Sequence, residues 1–102
     1  MSFAIKFEEN ENLRVFLSGD LDINTVDEFR KEVLEKYDDK DLDIIFDLND
    51  LEYIDSTGLG AIISVYKKVK EKGKNLTVVN AKKNIKKLFF ITELDKIFNM
   101  ED

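Results

Sequence analysis

The sequence predicts a small α/β domain: an N-terminal β-hairpin followed by alternating helices and mostly parallel strands in one mixed sheet. Three observations carry this expectation. Apolar residues alternate with period two through residue 18, switch to helical spacing from Val26, and then trade between the two periods along the rest of the chain. At 102 residues the chain fits one compact domain over 1–102, large enough for a core and too small for two. Proline is absent, and no repeat, low-complexity tract or linker interrupts the pattern.

The elements follow in order. Phe3-Ala4-Ile5-Lys6-Phe7 and Leu13-Arg14-Val15-Phe16-Leu17-Ser18 read as strands, and the short polar connection from Glu8 to Asn12 suits an antiparallel hairpin. Val26, Phe29, Val33, Leu34 and Tyr37 fall on one helical face, and Thr25 with Glu28 forms a capping box at its start. Ile44-Ile45-Phe46-Asp47-Leu48 is nearly continuous in apolarity, which predicts a central strand covered on both faces. Leu59, Ile62, Ile63, Tyr66 and Val69 mark a second helix opened by residues 55–58 and stopped by Gly73. Leu76-Thr77-Val78-Val79 is a further strand, Ile85, Leu88 and Phe89 give a third, shorter helix, and Ile97-Phe98 is read as a brief closing strand. Alternation of this kind implies parallel later strands joined by right-handed crossovers.

Composition removes whole classes of chemistry. Cysteine and histidine are both absent, which excludes disulfides, thiol chemistry, the usual zinc sites and any Ser-His pair. The Asp38-Asp39-Lys40-Asp41-Leu42-Asp43 run lacks the glycine and bidentate glutamate of a calcium loop, because Ile44 and Asp50 stand in those places. Gly58 and Gly60 belong to no complete nucleotide-binding pattern, so neither metal nor cofactor is expected and a small nucleotide-binding enzyme is the weakest reading. Asp47, near the end of a buried strand, leaves room for a receiver-type phospho-acceptor, but no acidic pair follows the first strand ahead of a crossover. No apolar stretch is long enough to span a bilayer, which points to a soluble, cytoplasmic protein with no membrane partner.

The net charge of −6 argues against nucleic acid and conceals an asymmetry. Residues 1–55 hold 6 Lys/Arg against 17 Asp/Glu, whereas residues 56–102 hold 10 against 5. Lys67, Lys68, Lys70, Lys72 and Lys74, with Lys82, Lys83, Lys86 and Lys87, read as solvated helix faces and C-terminal dipole partners and not as a nucleic-acid patch, since no aromatic residues interleave with them.

Asp55-Ser56-Thr57-Gly58-Leu59-Gly60 places two hydroxyls at a helix N-terminus, where backbone N–H groups and a partial positive charge tolerate an anion. A phosphate on Ser56 would add roughly −1.5 to −2 charges to the surface there, with the helix end holding it in place. The plain alternative is that Ser56 or Thr57 only caps the helix. Loops that follow adjacent parallel strands leave a sheet at the same edge, so residues 19–24, with Asp20, Asp22 and Asn24, should join Asp55, Ser56, Thr57 and Gly58 in one patch.

Gly19-Asp20-Leu21-Asp22 before the first helix, together with the segment from Asp47 to Gly60, resembles the anti-sigma-factor antagonist family, the stand-alone form of the sulfate-transporter and anti-sigma-antagonist (STAS) domain. The likeness covers essentially the whole chain, down to Leu94-Asp95-Lys96-Ile97-Phe98. It implies a binding protein rather than an enzyme: the unmodified form binds an anti-sigma factor with serine kinase activity and frees the sigma factor. Phosphorylation ends the complex, and a metal-dependent serine phosphatase resets it. By this resemblance Ser56 is the phosphorylated serine, Asp55 its preceding acid and Asp22 the acid of the neighbouring loop, while Thr57 departs from the usual Ser or Ala. The same fold also serves as a non-phosphorylated scaffold or transporter-associated module, in which the serine is a helix cap.

Overall fold

A computed structural model describes residues 2–101. Strands β1 (Ala4–Glu9) and β2 (Leu13–Leu21) form the expected antiparallel hairpin. Helix α1 (Val26–Tyr37), strand β3 (Ile44–Ile54), helix α2 (Ser56–Glu71), strand β4 (Leu76–Val79), helix α3 (Lys83–Ile91), a 3-10 turn (Leu94–Lys96) and strand β5 (Asn99–Glu101) follow. The sheet order is β1-β2-β3-β4-β5, with every pair after the hairpin parallel and β3 in the middle.

Leu13, Val15, Leu17 and Leu21 of β2 and Ile44, Phe46 and Leu48 of β3 are buried, and the buried faces of all three helices join them in one core. Phe29 of α1 reaches the sheet against Phe46, with ring centroids 5.7 Å apart. Burial of a large apolar side chain of this kind stabilises by roughly 1.5–3 kcal/mol. The opposite face of the sheet carries Arg14, Phe16, Ser18, Ile45 and Thr77, all half-buried. Enclosure of β3 on both faces is therefore not what its apolar run reflects. Asp47, in the middle of that run, is covered by side chains: Arg14 donates to Oδ2 at 2.7 Å and Asn80 Nδ2 lies 3.2 Å from the same atom.

Two other expectations are corrected. Thr25 is the residue before α1, but its side chain caps nothing; the hydroxyl donates to the Asp20 carbonyl at 2.9 Å and accepts the Asp22 N–H at 3.0 Å, so it is consumed in the turn and no capping box forms. Ile97-Phe98 is not a strand. The N–H groups of both residues donate to the Leu94 carbonyl, which curls the chain, and Phe98 packs on Tyr66 and Phe89 while pairing begins at Asn99. Of the lysines read as solvated or as C-terminal dipole partners, Lys72 is the latter, for α1 and not for its own helix: its ammonium donates to the Tyr37 and Asp38 carbonyls at 3.0 and 2.8 Å, and to that of Lys40.

Helix α2 ends as Gly73 predicts. At φ 71°, Gly73 donates to the Lys70 carbonyl at 2.9 Å while Lys74 donates to Val69 at 3.1 Å, a Schellman closure that favours glycine at this left-handed position.

Candidate functional site

The C-terminal ends of β2 and β3 meet at one edge, and the residues singled out in the sequence lie there. Strand β2 runs further than its apolar run suggests, so Asp20 sits on the strand, opposite Tyr53 of β3, and not in a loop. Continued alternation of buried Gly19 and Leu21 with half-buried Ser18 and Asp20 was the signal for that extension. Beyond Leu21 the chain turns tightly. Asp22 Oδ1 accepts the Asn24 N–H at 2.9 Å, and the Asp22 carbonyl accepts those of Thr25 and Val26, both at 3.0 Å. This is an Asx turn feeding α1, so the Asp22 side chain shapes the turn while its carbonyl, not its carboxylate, bonds the first helical residue.

Asp55 joins this turn to α2. Its backbone N–H donates to the Leu21 carbonyl at 3.3 Å, and its carbonyl accepts the Leu59 N–H at 3.0 Å. The carboxylate accepts the Thr57 hydroxyl at 2.6 Å and the Gly58 N–H at 2.9 Å. The Thr57 hydroxyl, then the Gly58 N–H, hold the Asp55 carboxyl below its ordinary value. The N-cap is accordingly Asp55, with Ser56 the first helical residue and exposed, whereas the Thr57 hydroxyl is half-buried and engaged.

Two consequences follow for the chemistry. Neither hydroxyl is the cap, and the Gly58 N–H of the first turn is taken by the Asp55 carboxylate, so Ser56 begins the helix with its side chain at the surface. Gly58 lets α2 approach this edge: a Cβ there would lie 2.5 Å from the Leu21 carbonyl oxygen and 2.7 Å from Ile54 Cγ1.

The sequence reading missed two features. Asp47 lies within β3 and is buried. Burial opposes its ionisation, but hydrogen bonds from Arg14, the Asn49 N–H and Asn80 outweigh that cost and hold its pKa below the ordinary value. An aspartate locked in this way is a structural ion pair and not an edge-exposed phospho-acceptor. The second feature is a pair of exposed apolar side chains, Ile23 and Tyr53, beside the motif. Among the described residues no group of three or more His, Cys, Asp or Glu side chains is arranged to hold a metal ion, and no helix is long and apolar enough to cross a membrane.

Fold and site together define a one-core α/β domain that presents a hydroxyl-bearing helix start at the edge of a five-stranded sheet. Residues 4–102 match the STAS domain family model. The chain is 32% identical over 101 residues to the anti-sigma-B factor antagonist of Bacillus subtilis, covering 98% of this chain and 92% of that protein. An anti-sigma factor antagonist structure from Mycobacterium paratuberculosis superposes with a TM-score of 0.87 at 23% identity, over 98% of this chain and 86% of that one. The Bacillus cell fate determinant SpoIIAA in its phosphorylated form superposes with a TM-score of 0.73 at 19% identity, over 97% and 90% of the respective chains. The chain belongs to the STAS domain family and, within it, to the anti-sigma factor antagonists.

Proposed function

We propose that the unmodified chain binds an anti-sigma factor with serine kinase activity in the cytoplasm, displacing a sigma factor, and that phosphorylation of Ser56 ends the complex until a metal-dependent phosphatase removes the phosphate. The observation that carries this reading is the contrast between neighbouring hydroxyls: Ser56 is exposed on the first residue of α2, while Thr57 is committed to Asp55. Family membership supplies the partner class, and a phosphorylated form of SpoIIAA supports the modification.

The switch needs no refolding. Ser56 is exposed, so a dianion on it sits at the surface, where a packed interface must desolvate it or pair it. Asp20, Asp22 and Asp55 deepen the negative field around it. Loss of about 1.4 kcal/mol lowers affinity tenfold, and an unpaired dianion in an interface costs more than that.

The test is to incubate the protein with ATP and each purified anti-sigma serine kinase of the source genome, map the phosphopeptide, and measure Kd for wild type, Ser56→Ala and Ser56→Asp. Modification should fall on Ser56, Ser56→Ala should bind yet resist modification, and Ser56→Asp should bind at least tenfold more weakly. Equal affinity of all three proteins would overturn the switch and favour a scaffold.

A further inference from the structure

Five large apolar side chains among the described residues stand well into solvent, and two of them, Ile23 (69% exposed) and Tyr53 (51% exposed), bracket the Ser56 turn. The other three, Phe90, Ile91 and Ile97, lie on α3 and just past the 3-10 turn that follows it. Ile23 is held on a turn whose hydrogen bonds come from its neighbours: the Asp22 N–H to Thr25 Oγ1, the Asn24 N–H to Asp22 Oδ1 and the Thr25 N–H to the Asp22 carbonyl. Every one of these bonds is made without the isoleucine side chain, so the fold gives no reason for a bulky apolar group at this exposed tip. Tyr53 is fixed by strand pairing opposite Asp20, one residue before β3 ends.

Rigid apolar groups that are already ordered before binding lose little entropy when covered. Centrally placed anchors of that kind, ringed by polar contacts, supply most of the affinity of an interface. The neighbouring polar residues are acidic: Asp20 is the strand partner of Tyr53, Asp22 precedes Ile23, and Asp55 caps the helix that follows Tyr53. An acidic rim steers a basic partner and sets its register, but exposed charges alone contribute little net affinity.

We propose that Ile23 and Tyr53 are the apolar anchors of the antagonist surface, seating together in a partner cleft with an apolar floor and a lysine- or arginine-rich rim. This rests on the anti-sigma reading above and extends it to the chemistry of the partner. It also explains how one phosphate can be decisive. Ser56 lies three residues after Tyr53, and the Asp55 N–H beside it bonds to the Leu21 carbonyl of the strand that leads to Ile23, so burying both anchors brings a dianion on Ser56 into the interface, where it must be desolvated or paired.

The experiment compares Kd for the same purified anti-sigma serine kinases at about 50 and about 300 mM salt, using full-length wild type, Ile23→Ser, Tyr53→Ser, Asp22→Ala and the distant control Ile91→Ser. Ile23→Ser and Tyr53→Ser should each weaken binding by about tenfold or more at both salt concentrations, with melting temperatures near wild type. Asp22→Ala, which removes both a charge and the Asx bond of the Ile23 turn, should weaken binding at both salt concentrations and more so at low salt. Ile91→Ser should stay within about twofold of wild type. Wild-type binding left within about twofold by both Ile23→Ser and Tyr53→Ser would overturn the anchor assignment alone. Absence of wild-type binding to every kinase would overturn the anti-sigma reading and this one with it. If Ile23→Ser lowers the melting temperature, Ile23→Gln at matched stability replaces it, and retention of wild-type affinity by that variant likewise overturns the assignment.

Discussion

The Thr57 hydroxyl donates to Asp55 Oδ1 at 2.6 Å, and this single bond separates the roles of two adjacent hydroxyls. The oxygen of Thr57 is spent inside the protein, holding the carboxylate that also binds the Gly58 N–H; the oxygen of Ser56 is left at the surface. Stability and modification should therefore dissociate. Asp55→Ala removes the true N-cap and should cost about 0.5–2 kcal/mol, Thr57→Val about 1 kcal/mol, and Ser56→Ala less than about 0.5 kcal/mol. Urea unfolding of the three variants checks the ranking. A Ser56→Ala variant as destabilised as Asp55→Ala would return Ser56 to the role of a cap.

Acid sensitivity should come from two carboxylates, one within the sheet's central strand and one just past its end. Asp55 is held below its ordinary pKa by the Thr57 hydroxyl and the Gly58 N–H. Asp47 is held below its own despite burial, by Arg14, the Asn49 N–H and Asn80. A carboxyl whose folded pKa is depressed contributes stability that is complete above its unfolded value, near 4, and is lost as pH falls through the lower folded value. Wild type should therefore lose stability steeply below about pH 4, and Asp55→Asn should lose less over the same interval from a lower plateau at neutral pH. Urea midpoints between about pH 2 and 7 test this, and parallel curves for the two proteins would show that Asp55 does not carry the acid limb.

Much of this arrangement is legible in the sequence because it rests on local periodicity. The hairpin, β4 and the helical faces around Phe29, Ile62 and Phe89 follow from apolar spacing alone, and β4 begins and ends where its apolar run does. The edge that unites residues 20–24 with residues 55–58 was readable from topology, because both segments follow adjacent parallel strands. What was not legible depends on partners far along the chain. Asp47 looks like a candidate acceptor until Arg14, 33 residues away, is seen against it. Thr25 has the spacing of a capping box, but its hydroxyl bonds backward to Asp20, which is possible only because β2 extends to Leu21. Ile97-Phe98 has strand-like composition, yet the aromatic contacts of Phe98 with Tyr66 and Phe89 need a curled backbone. Ser56 was singled out by its motif, whereas its exposure relative to Thr57 required the cap to be located.

Lys72 gives a prediction that separates the fold from the site. Its sequence context is a run of lysines on a solvated helix, yet its ammonium donates to the carbonyls of Tyr37, Asp38 and Lys40 and lies 4.4 Å from the centre of the Tyr37 ring. The last carbonyls of a helix have no intrahelical partners, and a cation placed among them satisfies those groups while complementing the negative end of the helix dipole. Lys72→Met keeps the apolar stem over Tyr37 and removes the donors, which should cost about 1–3 kcal/mol, whereas Lys70→Met, on an exposed position of the same helix, should stay within about 0.5 kcal/mol. Because Lys72 contacts the end of α1 remote from the turn at residues 22–25, affinity for the anti-sigma partner should be unchanged at temperatures where the variant is folded. Hydrogen exchange should accelerate at residues 37–41 without doing so at residues 55–58. Equal stability of Lys72→Met and Lys70→Met, or accelerated exchange at the Ser56 turn, would show that the lysine does not act as a local clamp on α1.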